Sequence, residues 1–167
     1  INMSNEKTHW MQSPNKNYLG HWDLPESGEL ILTIESAQWE AVTDPVSNKV
    51  DSKRIVKFQE EGVKPWICNA GNAIDIVKYG GVKFMEDSQG VQICLYIGEW
   101  TDRKTKESMD VVRIKPIPVY TLEVLIALKA KKINLIPEKL QSRLNDIVTN
   151  EEVGAYQKTI KYLETLK

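Results

Sequence analysis

Three tryptophans and six cations carry the clearest chemistry that residue type and spacing suggest. Trp39, Trp66 and Trp100 each fall at the end or the start of a run that reads as a strand. Lys53, Arg54 and Lys57 lie on or beside a second run, and Arg103, Lys104 and Lys106 fill the polar stretch "TDRKTKES" after Trp100. Indole faces stack on nucleobases while cations track phosphates, and a single strand of nucleic acid is held where both occur together. Five Trp and six Tyr stand against two Phe, so flat side chains with a polar edge are plentiful. Charge leans the same way. Residues 101–116 hold five cations against three acids, whereas residues 29–100 hold seven against eleven. The bland alternatives are core tryptophans and a solvated hairpin, and a net charge of -1 gives the whole chain no attraction for polyanions.

No reaction chemistry accompanies these residues. HExxH, a glycine-rich phosphate loop and G-x-S-x-G are all missing from the sequence. His9 and His21 stand alone near one end, and Cys68 and Cys94 lie inside apolar runs at no zinc-ligand spacing. Two buried thiols in a reducing compartment are expected, with a disulfide between neighbouring strands as the alternative. Neither an enzyme, a cofactor nor a metal is expected.

The elements that must position the aromatic and basic residues are mostly strands. Leu30, Leu32 and Ile34 alternate with Ile31, Thr33 and Glu35 in "ELILTIESAQWEAV", and Ser36–Ala37 could carry a bulge that turns this long strand. "KRIVKF" and a short "VKPWIC" follow, the latter with Pro65, which suits an edge or a strand start. The period then changes. In "NAGNAIDIVKYGG", Ala73, Ile76 and Val77 share a helical face, Asn72 is the expected N-cap and Gly80 the expected stop. "VQICLYIGEW" and "MDVVRIKPIP" restore period two, and Pro116 and Pro118 end the pairing. Three strands, one short helix and two strands match a mainly β fold with α elements: a five-stranded OB-like Greek-key barrel with a capping helix between strands 3 and 4. An SH3-like barrel and an α+β sheet with one covering helix are the alternatives.

Beyond residue 118 the pattern is helical. Thr121 is a cap for "LEVLIALKAKK", Pro137 opens a second helix, and Val153, Tyr156, Ile160 and Leu163 form an apolar stripe on a third. The expected organisation is a flexible N-terminal segment at 1–17, the barrel at 18–118 and a helical C-terminal module at 119–167. The stripe either docks internally or serves a partner. At 167 residues, 41% apolar and 27% charged, the chain is expected to be folded, and its apolar runs are too short for a membrane span. The first twenty residues hold no apolar core of signal-peptide length, Met3 reads as the natural start, and a cytoplasmic protein is expected.

The pieces "YLGHWDL", "LTIESA", "ICNAGNAIDIV", "VQICLYIG" and "VVRIKPIP", with the tail "TLEVLIALKAKK…YQKTIKYLETLK", resemble a poorly characterised family of small phage and mobile-element proteins. The resemblance covers residues 18–167 and rests mainly on the order of the pieces. It implies an OB-like domain tied to phage DNA replication or recombination, acting in the host cytoplasm. Asn69 and Asn72 match the family's two asparagines at the helix start, and Ala70 and Gly71 replace a Lys and a Thr, so any phosphate contact by that Lys is missing. The chain ends "YLETLK", without the acidic tail of single-strand-binding proteins. The combined expectation is a non-catalytic accessory protein that binds single-stranded DNA weakly by stacking and Lys/Arg–phosphate contacts. A homo-oligomer contact or a replication or recombination partner is allowed, and the alternative is a protein-interaction module that binds no nucleic acid.

Overall fold

The computed structural model describes residues 17–25 and 27–167. Its organising element is β1, a 15-residue strand at Glu29–Thr43. A strand this long serves two ladders. Glu29–Thr33 pairs with the start of β4 (Gln92–Thr101), while Ile34–Thr43 pairs with β2 (Val50–Phe58), both antiparallel. Between Ile34 and Ser36 the register slips, at the edge of the Ser36–Ala37 pair where the sequence suggests a bulge. A bulge adds twist and leaves a backbone group without a ladder partner. One residue beyond the last β1–β2 pair, the Thr33 N–H donates to both carboxylate oxygens of Glu60, at 2.8 and 3.0 Å.

With β3 (Trp66–Cys68) and β5 (Ser108–Lys115), the sheet has five antiparallel strands in the order β3-β2-β1-β4-β5. Among the described residues, no ladder joins β3 to β5. Helix α1 (Ala70–Gly80) follows β3, and the buried Asn72 side chain on it donates from Nδ2 to the Val112 carbonyl of β5 at 2.9 Å. Helix α1 buries Ala73 and Ile76 against Leu32, Ile34, Val56, Ile93 and Leu95. Full burial of each such aliphatic side chain contributes about 1.5–3 kcal/mol.

The cap of α1 sits three residues before the expected one. Asn69 stays extended and its Oδ1 accepts the Asn72 N–H at 2.8 Å, which frees the Asn72 amide for its contact with β5. The stop is Gly81 at φ 64° rather than Gly80. Leu19 and Leu24 pack into the same core. Residues 1–16 of the expected flexible segment lie outside the described residues.

The remaining helices are α2 (Leu122–Lys132), α3 (Glu138–Thr149) and α4 (Val153–Thr165). Thr121 caps α2 as expected, its hydroxyl accepting the Val124 N–H. A second core forms around Leu125, Leu144, Ile147, Tyr156, Ile160 and Leu163. Two features fasten this unit to the sheet. Gly81 and Gly154 meet backbone to backbone: a Cβ on Gly81 would lie 1.9 Å from the Gly154 carbonyl oxygen. And Gln157 replaces a missing strand. β5 has ended at Lys115, so Gln92 has no neighbour there, and its N–H donates to Gln157 Oε1 (2.8 Å) while its carbonyl accepts from Gln157 Nε2 (3.0 Å). No helix among the described residues is long and apolar enough to cross a membrane.

Candidate nucleic-acid interface

One rung of the sheet crosses three strands: Trp39 on β1 lies opposite Arg54 on β2, which lies opposite Cys68 on β3. Pairing and alternation place all three on the core-facing side, Cys68 within the core and Trp39 and Arg54 at its end. Trp39 therefore emerges 53% exposed, with the Arg54 guanidinium 4.4 Å from its ring centre. At the β3 end of this rung, Cys68 is buried, and desolvation pushes its thiol up to about 12 against the pull of the Arg54 charge. Cys94 is buried as well, its thiol raised by desolvation first, and neither cysteine is in a disulfide.

Facing this rung is the connection from α1 to β4. Its short 3-10 turn at Met85–Asp87 is pinned by Met85 against the core and by the buried Ser88, whose hydroxyl and N–H both donate to the Met85 carbonyl. The preceding residue, Phe84, is thereby held outward, 57% exposed, with the Lys83 ammonium 5.5 Å from its ring centre. Between the two aromatic residues runs a groove of about 450 Å³, lined also by the buried Ala37 and Ala73 and by the exposed Ile74 and Glu86. Two flat apolar faces, each with a cation at hand, thus border one open channel.

The nine residues singled out in the sequence do not form one surface. Trp39 and Arg54 share the groove. Lys53 and Lys57 alternate to the opposite face of β2, where Lys53 pairs with Asp51 at 2.5 Å and Lys57 with Glu40 at 2.7 Å. Glu40 is held below the usual carboxylate range by hydrogen bonds from Gln38 and then Lys57. Trp66 is 3% exposed in the sheet core, so its ring is a packing element and not a stacking face. Trp100 is 40% exposed, but it belongs to the β4–β5 arm, opposite Met109. From the shared β1–β4 ladder, the register sends the β4–β5 arm and the β1–β2 arm in opposite directions along the strands.

The turn with Arg103, Lys104 and Lys106 tips the β4–β5 arm, and these three side chains make no ion pair among the described residues. Its geometry repeats at the tip of the other arm. Asp102 Oδ1 accepts the Thr105 and Lys104 N–H groups, and Lys106 takes φ 63°; Asp44 Oδ1 accepts the Ser47 and Val46 N–H groups, and Asn48 takes φ 55°. In both turns the accepted backbone N–H groups hold the aspartate below its ordinary range. An aspartate with a left-handed residue four places on closes each hairpin, so these turns are built for backbone geometry first.

The apolar stripe, offered by the sequence either to an internal contact or to a partner, is mostly spent inside the chain. Tyr156, Ile160 and Leu163 are buried in the helical core and Val153 packs against it. What the helices leave open is a separate groove of about 640 Å³ between α3 and α4, lined by Leu140, Leu144, Ile147, Lys158 and Tyr162. Phe84, Lys83, Ile74 and Glu86 escaped the sequence reading. The stretch "VKFMED" has no helical or strand period, and a lone exposed aromatic between a helix stop and the next strand is its single local signal. Comparison with protein-family models, with curated proteins and with solved structures finds no match.

Proposed function

We propose that the protein is a non-catalytic accessory factor that binds single-stranded DNA weakly in the Trp39–Phe84 groove. The observation that carries this reading is the pairing of exposed ring and cation on both sides of one channel: Arg54 over Trp39 and Lys83 over Phe84. Bases stack on the rings, and the two cations meet the phosphates on either side. The reading takes the sheet as the OB-like barrel expected from the sequence, in which strands 2 and 3 and the adjoining hairpins carry the ligand. The Trp39–Arg54–Cys68 rung lies across that region. A role in phage or mobile-element DNA replication or recombination, in the host cytoplasm, rests on the family resemblance alone.

The test is a titration of intrinsic tryptophan fluorescence with oligo-dT at low and then raised salt. Salt-sensitive quenching in the parent, weakened by Arg54→Glu, is the expected result, because released counterions make phosphate binding fall with salt. Absence of quenching at every salt concentration would remove the proposal. It would favour the competing reading, a protein-interaction module, for which the open α3–α4 groove is the relevant feature.

A further inference from the structure

The groove holds one acid among its cations, and that acid is unengaged. Glu86 lines the channel beside Phe84 and Met85, exposed, and makes no hydrogen bond or ion pair with any described residue. Lys83, three residues earlier, is turned to the Phe84 ring instead. The backbone of Glu86 is not loose. It sits in the 3-10 turn that Met85 and Ser88 anchor to the core, so the residue is held at the channel's lining while its side chain stays exposed. A carboxylate repels phosphate, so in a groove that takes a single strand it must face the bases rather than the backbone. It only accepts hydrogen bonds and therefore prefers a base edge that donates.

From this juxtaposition we propose that Glu86 sets base preference in the groove, accepting a hydrogen bond from the exocyclic amino group of a stacked base and favouring cytosine over thymine. Cytosine presents an amino donor where thymine presents a carbonyl acceptor, which would meet the carboxylate oxygen to oxygen. The stacking on Trp39 and Phe84 is indifferent to base identity, so any discrimination has to come from such an edge contact. The inference rests on the single-strand reading above and adds to it a ligand preference and the residue that imposes it.

The test compares oligo-dC and oligo-dT of equal length, at one salt concentration, by fluorescence anisotropy of a labelled strand. The parent protein is expected to bind oligo-dC about fivefold more tightly, the low end for a specific base-edge contact. Glu86→Ala should erase the difference and leave oligo-dT binding equal or stronger. Glu61→Ala, an exposed acid on the β2–β3 connection away from the groove, should keep the preference. Equal binding of the two oligonucleotides by the parent, or a preference that survives Glu86→Ala, overturns the role of Glu86 while leaving the groove reading intact. Failure to bind either strand overturns the groove reading itself.

Discussion

Gln157→Ala removes the amide that stands in for a strand beside Gln92. Both ends of that amide are engaged, at 2.8 and 3.0 Å, and the residue is only 8% exposed, so water is poorly placed to replace it. Each hydrogen bond contributes about 0.5–1.5 kcal/mol net, so losing both should cost about 1–3 kcal/mol. With a urea slope of about 2 kcal/mol per molar, the unfolding midpoint should fall by about 0.5–1.5 M with the slope unchanged. Gln157→Glu is the informative partner variant. It keeps an acceptor for the Gln92 N–H but sets a second acceptor against the Gln92 carbonyl, so it should lose at least half as much. Amide exchange at Gln92 should speed up in both variants. A midpoint within about 0.2 M of the parent for Gln157→Ala, well below the expected fall, would refute the idea that this side chain fastens the helices to the sheet.

Trp66→Ala should cost about 3–5 kcal/mol in chemical denaturation, the range for a large aromatic deleted from a core, whereas Trp39→Ala should be nearly neutral for stability and weaken oligo-dT binding about tenfold. In anisotropy titrations, Arg54→Glu with Lys83→Glu should reduce DNA affinity more than the triple change Arg103→Glu, Lys104→Glu and Lys106→Glu, since that turn tips the other arm; the reverse order would move the site to the β4–β5 hairpin. Gly154→Ala should destabilise by more than about 2 kcal/mol, because its Cβ would lie 2.6 Å from the Gly81 Cα and backbone must move. The Asp44 and Asp102 carboxylates have folded-state pKa values below the ordinary 3.8, so the support they give the turns is present above that value and is lost as pH falls through the lowered one. NMR shifts of the Val46, Ser47, Lys104 and Thr105 amides should therefore titrate at more acid pH than a free aspartate, and Asp102→Asn should abolish the Lys104 and Thr105 steps.

What the sequence disclosed follows from which signals are local. Alternation through Leu30, Leu32 and Ile34 fixes a strand face, and the change of period at Ala73 and Ile76 fixes a helix, so element order was readable. Capping is local too, yet Asn69 and Asn72 are the same residue type three apart. The choice between them turned on the Val112 carbonyl, which is distant in sequence. The tryptophans show the same limit. Trp39 and Trp66 both read as ending or opening a strand, but Trp66, on the edge strand β3, is buried in the sheet core, whereas Trp39 lies on the arm of β1 that outruns that core. Residue type cannot report that difference. Lys53, Arg54 and Lys57 looked like one basic patch by proximity, and alternation alone would have divided them. Phe84 and Glu86 depend on how a turn without period is pinned to the core, and no pattern announces it.

The double duty of β1 has a consequence for how the chain is made. Its second half can zip to β2 as soon as the short turn at 44–49 emerges, but its first half waits for β4, with β2, β3 and α1 synthesised in between. Until then "ELILT", rich in β-formers, offers an unpaired edge to any passing strand. Fragments ending before Gln92 should accordingly clump in the test tube while the full chain stays dispersed, and the delay places this short segment at the point where biogenesis of the protein is most easily derailed.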